Sequence, residues 1–424
     1  MKKPITAVIA GAGSRGTTYA RYAQLHPDEL KIVGVAEPLA INRQHMVETY
    51  GIPDDNIFLD WREMAARPRL ADAVIIATQD AMHADPAVEF AQKKYAILLE
   101  KPMAPNEADC RRIIEAVQAN DVLFAVCHVM RYTSYTQALK QLIDQGAVGE
   151  IVSIQHLETV GFWHQAHSFV RGNWRNESQS SFMLLAKSCH DLDWLSYIVD
   201  EKCLSVTSFG SLKHFKRSEK PILAGEARRC VECAYEADCP YSAVRIYWNF
   251  FNTHGHRWPV NVLTSDPSAE SLKIALEDGP YGRCVYECDN DVVDHQVVNF
   301  WFEGEKSAVF TMTAFNQAGD RKTRIFGTRG EIYGDGEQIE VFDFLSNTKR
   351  IVKTERTSCE ADPSASMGGH GGGDYNLIKR FVQAVSENDR SLILSGASES
   401  FESHSMVFAA EKARKEHILV DLAE

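Results

Sequence analysis

The sequence predicts an α/β protein in two domains. Residues 1–128 are expected to form a doubly wound parallel sheet, and residues 129–424 an α+β domain with a large, open, mostly antiparallel sheet. Up to residue 128, short runs rich in Val, Ile and Ala alternate with helical stretches, as in a sheet buried on both faces. Later runs alternate apolar with polar residues, which is typical of antiparallel strands with one solvated face. The 424 residues, 45% of them hydrophobic, are enough for two or three packed domains.

In the first domain, apolar runs predict five strands, and the apolar spacing between them predicts helices. The predicted strands cover residues 5–10, 31–36, 73–77, 96–99 and 122–126. The predicted helices include residues 17–25, 86–92 and 107–118. Strands joined by helices in this way form a doubly wound sheet.

The second domain is predicted to begin with a helix over 134–145, which ends at Gly146, and a strand over 150–159. A helix over 183–199 and a long region of alternating strands up to residue 344 follow, and the clearest strands are 297–302, 308–313 and 323–326. A glycine-rich connection over 364–373 leads to two closing helices, 374–386 and 398–417. We expect a cysteine-containing insertion at about residues 213–245.

A glycine motif directly follows the first predicted strand and opens the first helix. Gly11, Gly13 and Gly16 have G-x-G-x-x-G spacing, with Ser14 and Arg15 in the same loop. In this context the glycines permit a tight turn, close approach of backbone N–H groups to a pyrophosphate, and close packing of helix on strand. The motif predicts a Rossmann domain that binds NAD through these five loop residues. The alternative is a glycine turn that binds no nucleotide.

Glu37 ends the second predicted strand, about 20 residues after the glycine motif, where such domains carry an acidic residue. A carboxylate at this point accepts hydrogen bonds from the ribose hydroxyls and repels a 2′-phosphate. We therefore expect NAD rather than NADP as the cofactor. Arg43 lies six residues later and softens that preference.

Four more candidate cofactor-site residues follow predicted strands: Thr78, His83, Glu100 and Lys101. Ligands of doubly wound sheets bind beyond the carboxyl ends of the strands, which places all four on the cofactor side. A cap or packing role is the alternative for His83. Glu100 and Lys101 come directly after an apolar strand, which brings an ionisable amine to the mouth of the crevice, and Pro102 biases Lys101 away from helix.

The net charge of −13 argues against nucleic acid or an anionic membrane surface as the main ligand, because both require a concentrated positive surface. No stretch approaches the roughly 20 apolar residues of a membrane span, and the start reaches glycine too soon for a signal peptide. The sequence therefore favours a small-molecule ligand and a cytoplasmic protein. Its ten cysteines are then expected to be reduced.

Several longer segments carry a resemblance to a known family. They are GAGSRG, ATQDAMHADPAV, EKP, VMRYTSYTQALKQLIDQGAVGEI, SCHDLDWL, IFGTRGEIYGD and SFESHSMVFAAEKARKEH, and together they span nearly the whole chain. In these segments the sequence resembles the Gfo/Idh/MocA family of NAD(P)-dependent oxidoreductases, relatives of inositol and glucose–fructose dehydrogenases. The glycine motif alone would not be specific, whereas the EKP tripeptide together with the R-Y…GAVGEI run is.

The resemblance implies a second domain whose open sheet presents substrate to the nicotinamide and forms homodimers or homotetramers. It also implies that Lys101 touches substrate and cofactor, and that His190 acts as acid/base. Oxidation of a secondary alcohol requires removal of the hydroxyl proton, which suits a histidine, and a lysine cation favours developing alkoxide character. Without the resemblance, a buried structural role for His190 would be preferred.

One position departs from the family pattern. Family dehydrogenases commonly carry an aspartate four residues before the catalytic histidine, where this chain has Ala186, with Lys187 beside it. Lys187 lies three residues before His190 on the predicted helix and is a candidate third catalytic residue, as substrate ligand or proton relay. The alternative is a surface lysine paired with Asp191.

Candidate substrate-binding residues, besides Lys101, are Tyr132, His164, Asp191 and His370. Tyr132 follows Arg131 at the junction of the two domains, and His370 lies in GGHGGGD with Asp374, where the family often places a substrate-side histidine. His164 belongs to a group of aromatic and imidazole side chains that suits stacking against a sugar: His156, Trp163, His164, His167 and Trp174. Loop packing is the alternative for this group.

Cys230, Cys233 and Cys239 form a C-x2-C-x5-C pattern followed by Pro240. A C-x2-C pair is the usual first half of a structural zinc site, with His214, Cys203, Cys284 or Cys288 as the fourth ligand. Free thiols and a local disulfide are the alternatives. A structural zinc is expected rather than a catalytic one, because three or four thiolates leave no coordination position open for water or substrate.

Three functions follow from these observations. The first is an NAD-dependent dehydrogenase that acts on a secondary hydroxyl, or the matching ketone, of a sugar, polyol or glycoside. The second is an NAD-dependent glycoside hydrolase that works by transient oxidation and elimination. The third is a non-catalytic sensor of NAD or sugar.

Overall fold

Two β-sheets organise the chain, which the computed structural model describes over residues 3–319, 321–354 and 367–422. The strands of the first sheet are β1 (Ile5–Ala10), β2 (Leu30–Ala36), β3 (Ile57–Phe58), β4 (Ala73–Ile76), β5 (Ala96–Leu99) and β6 (Phe124–Val126). They lie in the order β3-β2-β1-β4-β5-β6, and all pairs are parallel. The doubly wound sheet that the sequence predicts is confirmed.

The carboxyl ends of the central strands are level with one another. Ala10 pairs with Ala36 and with Ile76, Ile76 pairs with Leu99, and Leu99 pairs with Val126. The residues that follow these strands therefore emerge at one edge of the sheet. That edge is where ligands bind in folds of this kind.

The helices of this part are α1 (Ser14–Ala20), α2 (Tyr22–Leu25), α3 (Ala40–Tyr50), α4 (Trp61–Ala66), α5 (Ala84–Gln92) and α6 (Glu107–Asn120). Strand β3 and helices α3 and α4 have no counterpart among the elements predicted from the sequence. Helix α3 buries only Met46 and so carries no apolar stripe, and β3 is two residues long. Such elements give little periodic signal.

The second sheet has nine strands and is mostly antiparallel, as the sequence predicts. Its strands are β7 (Ile151–Thr159), β8 (Cys203–Ser211), β9 (His295–Phe302), β10 (Ser307–Thr313), β11 (Lys322–Gly327), β12 (Gly330–Gly334), β13 (Gln338–Asp343), β14 (Thr348–Lys353) and β15 (Val420–Asp421). Their order is β14-β13-β12-β11-β7-β10-β9-β8-β15. Only the central β10 and β7 pair in parallel among these strands.

The helices of the second part are α7 (Ser134–Asp144), α8 (Phe162–His164), α9 (Met183–Val199), α10 (Ala243–His254), α11 (Ala269–Asp278), α12 (Gly373–Glu387) and α13 (Ala397–Glu416). Helix α8 continues as a π-helix over Gln165–Arg171. The helices predicted over 134–145, 183–199, 374–386 and 398–417 are thus found. Of the predicted glycine-rich connection, residues 364–366 lie outside the described residues.

Helix α9 is buried on nearly all of its surface. It packs against the second sheet on one side and against α13 on the other, in one hydrophobic core with Phe300 and Phe310 of the sheet. Helix α12 instead packs its apolar face, which includes Tyr375 and Phe381, into the core on one side of the first sheet. The chain therefore returns to the first sheet after completing the second.

The region between β8 and β9 corrects one prediction. Residues 212–294 were expected to hold alternating strands beyond a short insertion, but they contain helices α10 and α11, several 3-10 turns and one isolated bridge between Arg229 and Arg283. They have a separate hydrophobic core that includes Phe215, Tyr247 and Leu272. The insertion is therefore longer than predicted, and it includes Cys284 and Cys288.

No helix in the described residues is both long enough and apolar enough to cross a lipid bilayer.

Candidate active site

The glycine loop lies at the carboxyl edge of the first sheet, between β1 and α1. Gly11 has a φ of +90°, and a Cβ there would lie 2.5 Å from the carbonyl oxygen of Ala77, at the end of β4. A side chain at Gly16 would collide with the carbonyl of Gly11. A Cβ at Gly13, in contrast, would meet nothing within 4 Å. The loop therefore leaves open space above its backbone at Gly13.

Glu37 closes this loop from the end of β2. Its side chain is 5% exposed, and its carboxylate accepts hydrogen bonds from the backbone N–H of Ala12 at 2.7 Å and of Leu39 at 2.9 Å. Arg43 donates to the carbonyl oxygens of Glu37 and Pro38, so its guanidinium is fixed beside the same turn. A carboxylate thus lies where a Rossmann domain holds the ribose.

The side chain of Arg15 binds acidic residues of the protein, and its predicted role in holding the cofactor stays a prediction. Its guanidinium donates to Glu100 at 2.5 Å, and it also donates to Tyr19 and to Asp374 of α12. Burial alone would raise the pKa of Glu100, but the cations of Arg15 and Lys101 hold it below the ordinary value of a glutamate. Arg15 therefore ties the glycine loop to β5 and α12. Ser14 opens α1 next to it.

His83 is fully buried and bridges two strand ends. Its Nδ1 lies 2.8 Å from the carbonyl oxygen of Pro102, and its Nε2 lies 3.1 Å from that of Thr78. Both ring nitrogens therefore face backbone carbonyl oxygens of the protein. The structure places His83 as a link between the ends of β4 and β5, close to the candidate cofactor site, which agrees with the packing alternative.

Lys101 reaches from the first sheet to the second domain. Its backbone N–H donates to the Glu100 carboxylate at 2.6 Å, and its Nζ donates to the carbonyl oxygen of Ala186, in the first turn of α9, at 2.8 Å. The ammonium group thus lies between the edge of the Rossmann sheet and the helix that carries His190. Ala186, where the resemblance leads one to expect an aspartate, contributes its backbone oxygen.

His190 lies on α9 and is 3% exposed. The guanidinium of Arg321 donates to its Nε2 at 2.7 Å, so the ring proton is assigned to Nδ1, which is buried without a hydrogen-bond partner among the described residues. Burial lowers the pKa of His190 well below the ordinary value, and the cations of Arg321, Lys101 and Lys187 lower it further, against the opposite effect of Asp191. The imidazole is therefore neutral, and the partner-less N–H that it holds among the described residues is that of Nδ1.

Arg321 also neutralises two buried carboxylates. Its Nε lies 2.7 Å from Asp191 Oδ1 and 2.7 Å from Glu158 Oε2, and both acidic side chains are almost fully buried. Burial opposes ionisation of Asp191, but Arg321 and His190 hold its pKa well below the ordinary value. Asp191 is therefore an anion enclosed by Arg321, His156 and His190.

Lys187 pairs with Glu158 of β7, with Nζ 2.9 Å from Oε1. This corrects the alternative of a surface lysine paired with Asp191, since Lys187 is partly buried and Asp191 binds Arg321 instead. The ammonium of Lys187 lies close enough to His190 to lower its pKa. Lys187 therefore belongs to the same charged cluster as His190.

Two further histidines lie beside this cluster. The ring centroid of His370 is 6.1 Å from that of His190, and its Nδ1 lies 2.9 Å from the buried carboxylate of Asp374. His164 stacks on Trp163, at 5.6 Å between ring centroids. Burial, together with the cations of Lys187 and Arg321, lowers the pKa of His164 well below its ordinary value. Both predicted substrate-side histidines are thus close to Lys187 or His190.

Tyr132 does not line this site, which corrects its predicted role as a substrate ligand. Its side chain is 1% exposed, and its hydroxyl accepts hydrogen bonds from the backbone N–H groups of Leu394 and Ser395. Arg131 is likewise buried in a bidentate pair with Asp193. These residues hold the junction of the two domains together. His156 is also internal, stacked on Trp194 at 4.6 Å.

The prediction of zinc at Cys230, Cys233 and Cys239 is not supported. Among the described residues, no group of three or more His, Cys, Asp or Glu side chains is arranged to hold a metal ion. A zinc ion needs its thiolates about 2.3 Å from one common centre, and the nine described cysteines form no such group. The nine described cysteines are free thiols.

Sequence reasoning missed Glu158 and Arg321. A signal for Glu158 was available, because Ile154, His156 and Glu158 share one face of β7, and two polar residues on a buried face are unusual. Arg321 lies just before β11 and belongs to no pattern in the sequence. Only the fold brings its guanidinium to His190.

Family models match nearly the whole chain. The model described as an oxidoreductase family with NAD-binding Rossmann fold matches residues 5–128, and the model of that family's C-terminal alpha/beta domain matches residues 140–422. The first match covers the residues of the first sheet, and the second match covers the residues of the second sheet.

Individual relatives are distant. The chain is 22% identical over 337 residues to putative oxidoreductase YteT of Bacillus subtilis, across 77% of this chain and 75% of that protein. It is 28% identical over 202 residues to 2,7-anhydro-N-acetylneuraminate hydratase of Escherichia coli, across 48% of this chain and about half (51%) of that protein. The solved structure of levoglucosan dehydrogenase in complex with NADH and levoglucosan has a TM-score of 0.70 and 18% identity, and the match covers 100% of both chains.

Proposed function

Since the chain belongs to the Gfo/Idh/MocA oxidoreductase family, whose models match both of its parts, we propose that it is an NAD-dependent dehydrogenase. Its proposed substrate is a secondary hydroxyl, or the corresponding ketone, of a sugar, polyol or glycoside. The observation that carries this proposal is the contact of Lys101 Nζ with the carbonyl of Ala186 at 2.8 Å. Through it an ammonium group stands between the nucleotide edge of the Rossmann sheet and the helix of His190.

Nicotinamide, when bound, supplies the acceptor or donor of hydride. The open space at Gly13 supports a pyrophosphate there, and Glu37, whose carboxylate binds the N–H of Ala12, is the proposed acceptor for the ribose hydroxyls. Because the Glu37 carboxylate would repel a 2′-phosphate, NAD is the proposed cofactor rather than NADP. Thr78 follows β4 and Glu100 follows β5, at the same edge of the sheet. Both are proposed to belong to the cofactor site.

His190 is the proposed acid/base. Its ring is neutral, so Nε2 can take the hydroxyl proton of the substrate once Arg321 Nη2 yields that nitrogen to the hydroxyl. Arg321 meanwhile keeps its contacts with Glu158 and Asp191 through Nε. The imidazolium that forms is stabilised by Asp191, whose carboxylate lies 3.4 Å from His190 Nε2.

Lys101 is proposed to touch the substrate oxygen. As the hydroxyl proton departs, negative charge grows on that oxygen, and an ammonium beside it lowers the energy of that state. Lys187, His164 and His370 are proposed substrate ligands around the same oxygen-bearing carbon. The indole of Trp163, stacked on His164, offers an apolar surface to a sugar ring.

Replacing Glu37 with alanine is expected to weaken NAD binding about tenfold, because a charged hydrogen-bond acceptor for the ribose is lost. The same change removes the repulsion of a 2′-phosphate, so affinity for NADP should rise. Calorimetric titration with both nucleotides measures the ratio. Glu48→Ala, on the exposed face of α3, is the matched control. An unchanged ratio of the two affinities in Glu37→Ala would rule out the assigned role.

The proposed activity is tested by incubating the purified protein with NAD and a panel of sugars, polyols and sugar acids while absorbance of NADH is followed. We expect NADH to accumulate with at least one secondary alcohol. If the protein binds NAD but no member of the panel or its ketone reacts, the dehydrogenase proposal fails and a sensor function is favoured.

A second candidate function is net hydration or hydrolysis without net redox change. The observation that favours it is a second imidazole, His370, held by Asp374 beside His190, since elimination needs a base for a carbon-bound proton as well as one for the hydroxyl. The Escherichia coli relative is a hydratase. Release of product with no accumulation of NADH, and with solvent deuterium on carbon, would identify this reaction.

We also propose that copies of the chain associate through the second sheet. Apolar side chains on its strands are exposed, among them Phe209, Trp301, Tyr333 and Ile351.

A cytoplasmic location is proposed from the free thiols of the nine described cysteines.

We propose that the boundary between the two domains lies between residues 128 and 129, even though α12 returns to the first sheet.

A further inference from the structure

The insertion between β8 and β9 carries aromatic side chains to the candidate substrate site. Trp258 lies in this insertion, after α10. Its indole packs against three rings of the segment that follows β7, with ring centroids 5.4 Å from Trp163, 5.2 Å from His164 and 5.4 Å from His167. Phe250 of α10 also packs against Trp163, at 4.6 Å between centroids. The insertion therefore forms an aromatic wall beside His164.

His164 connects this wall to the charged cluster around His190. Burial lowers the pKa of His164 most, and the cation of Lys187 lowers it further, which places that ammonium group near the imidazole. Lys187 and His190 are three residues apart on α9, so their side chains share one face of the helix. From His190 through Lys187 and His164 to Trp258, the side chains thus change from charged to aromatic. The first end suits a reacting hydroxyl, and the second suits a ring with an apolar face.

The indole of Trp258 is both accessible and held in place. Trp258 is 47% exposed although three rings pack against it, whereas tryptophan is highly buried on average. Its loop is closed by His256, whose Nε2 lies 2.8 Å from the carbonyl oxygen of Thr264. Val260, two residues after Trp258, is fully buried in the core of the insertion. Because the loop is anchored on both sides, a ligand that packs on the indole loses little free energy in ordering it.

We propose that Trp258 forms a subsite for the second ring of a glycoside, next to the sugar whose hydroxyl reacts between Lys101 and His190. This inference rests on the proposed dehydrogenase function, and it narrows the substrate to a glycoside whose aglycone carries a ring, either a second sugar or an aryl group. The C–H face of a pyranose, or the face of an aryl ring, covers the exposed indole and removes apolar surface from water.

Trp258 is a specificity residue in this proposal, because it touches the second ring and no reacting atom. Its contact with the substrate is the same in the ground state and in the transition state. The loss of its side chain is therefore expected to weaken the binding of glycosides that carry a second ring, and to leave the hydride transfer itself unaltered.

The test is calorimetric titration of the full chain, without nucleotide and with NADH, using two series of glycosides. One series is methyl β-glucoside, phenyl β-glucoside and cellobiose, and the other is methyl β-galactoside, phenyl β-galactoside and lactose. We expect at least one ring-bearing glycoside to bind about tenfold more tightly than the methyl glycoside of the same sugar. The phenyl and disaccharide members show which kind of ring the subsite prefers.

Trp258→Ala should remove this preference and leave the affinity for the methyl glycoside unchanged, which also shows that the variant is folded. Trp258→Phe keeps an aromatic face and should retain most of the preference. Ile274→Ala is the matched control, because Ile274 is another apolar side chain of the insertion, 50% exposed on α11. That variant should bind all six glycosides as the wild type does.

Three results would overturn the proposal. One is that no ring-bearing glycoside binds more tightly than its methyl counterpart, and another is that Trp258→Ala keeps the preference. The third is a changed mass of the assembly in Trp258→Ala with unchanged affinities, which would assign the indole to an interface between copies of the chain. Formation of NADH with the sugar panel tests the dehydrogenase reaction separately. NADH formation without the preference overturns the subsite alone, and the preference without NADH formation overturns the reaction alone.

Discussion

Replacing Lys101 with alanine is expected to lower kcat/KM about 1000-fold for the substrate that the panel identifies, with little change in the affinity for NAD. The ammonium group of Lys101 lies at the point where the Rossmann edge meets α9, and its proposed contact is with the oxygen on which charge develops. The nucleotide is held by other groups, namely the glycine loop and Glu37. Steady-state kinetics and calorimetric titration with NAD separate the two effects.

Lys93→Ala is the matched control for this change. Lys93 is a surface lysine just before β5, and its Nζ donates only to the carbonyl of Arg67 among the contacts described. Its loss should leave kcat/KM unaltered. If Lys101→Ala loses NAD binding in proportion to its activity, the lysine serves the cofactor rather than the transition state, and the proposed role is wrong.

Replacing Arg321 with alanine is expected to destabilise the fold by about 3–5 kcal/mol, because two buried carboxylates lose their shared cation. Lys187 still pairs with Glu158, but the ion pairs left to Asp191 among the described residues are those with the imidazoles of His156 and His190. Urea unfolding at neutral pH gives the free energy of unfolding. Arg324→Ala on β11, which removes an exposed pair with Glu331 on β12, is the control and should cost less than about 1 kcal/mol.

The same variant is expected to raise the pKa of His190. Burial lowers that pKa in the native protein and Arg321 lowers it further, so the folded state keeps His190 neutral at pH values where an unfolded chain binds a proton. The stability supplied by the neutral imidazole is present above the unfolded pKa of about 6.5 and is lost as the pH falls below it. In Arg321→Ala this pH dependence should shrink, and NMR titration of the histidine signals should show a group that protonates nearer neutrality. An unchanged titration of His190 would contradict the assigned contact.

The first sheet could be predicted from the sequence because its strands are buried on both faces. Runs such as Ala73–Ile76 and Ala96–Leu99 are apolar throughout, and glycine at fixed spacing after β1 marks the nucleotide edge. Helix α3 was not predicted because it lies on the surface with one buried residue. Residues 212–294 were misjudged because a small separate core, packed around helices and turns, leaves no long periodic pattern.

Within the candidate site, the sequence could predict the position of a residue only where that position follows from the residues next to it in the chain. Glu37, Glu100 and Lys101 each follow a strand, so their position at the edge of the sheet follows from the fold. The environment of His190 depends instead on Arg321, more than 100 residues away, and the inward turn of Arg15 depends on Asp374. Long-range pairs of this kind arise from the packing of whole elements, and neither spacing nor composition encodes them.

The most direct test of the proposed function is a crystal structure of the protein soaked with NAD and a sugar or polyol that reacts. We predict that the pyrophosphate lies above Gly13, the adenosine ribose on Glu37, and the nicotinamide beside Lys101, with the reacting hydroxyl between Lys101 and His190. A nicotinamide bound away from Lys101, or a sugar hydroxyl that contacts neither side chain, would contradict it.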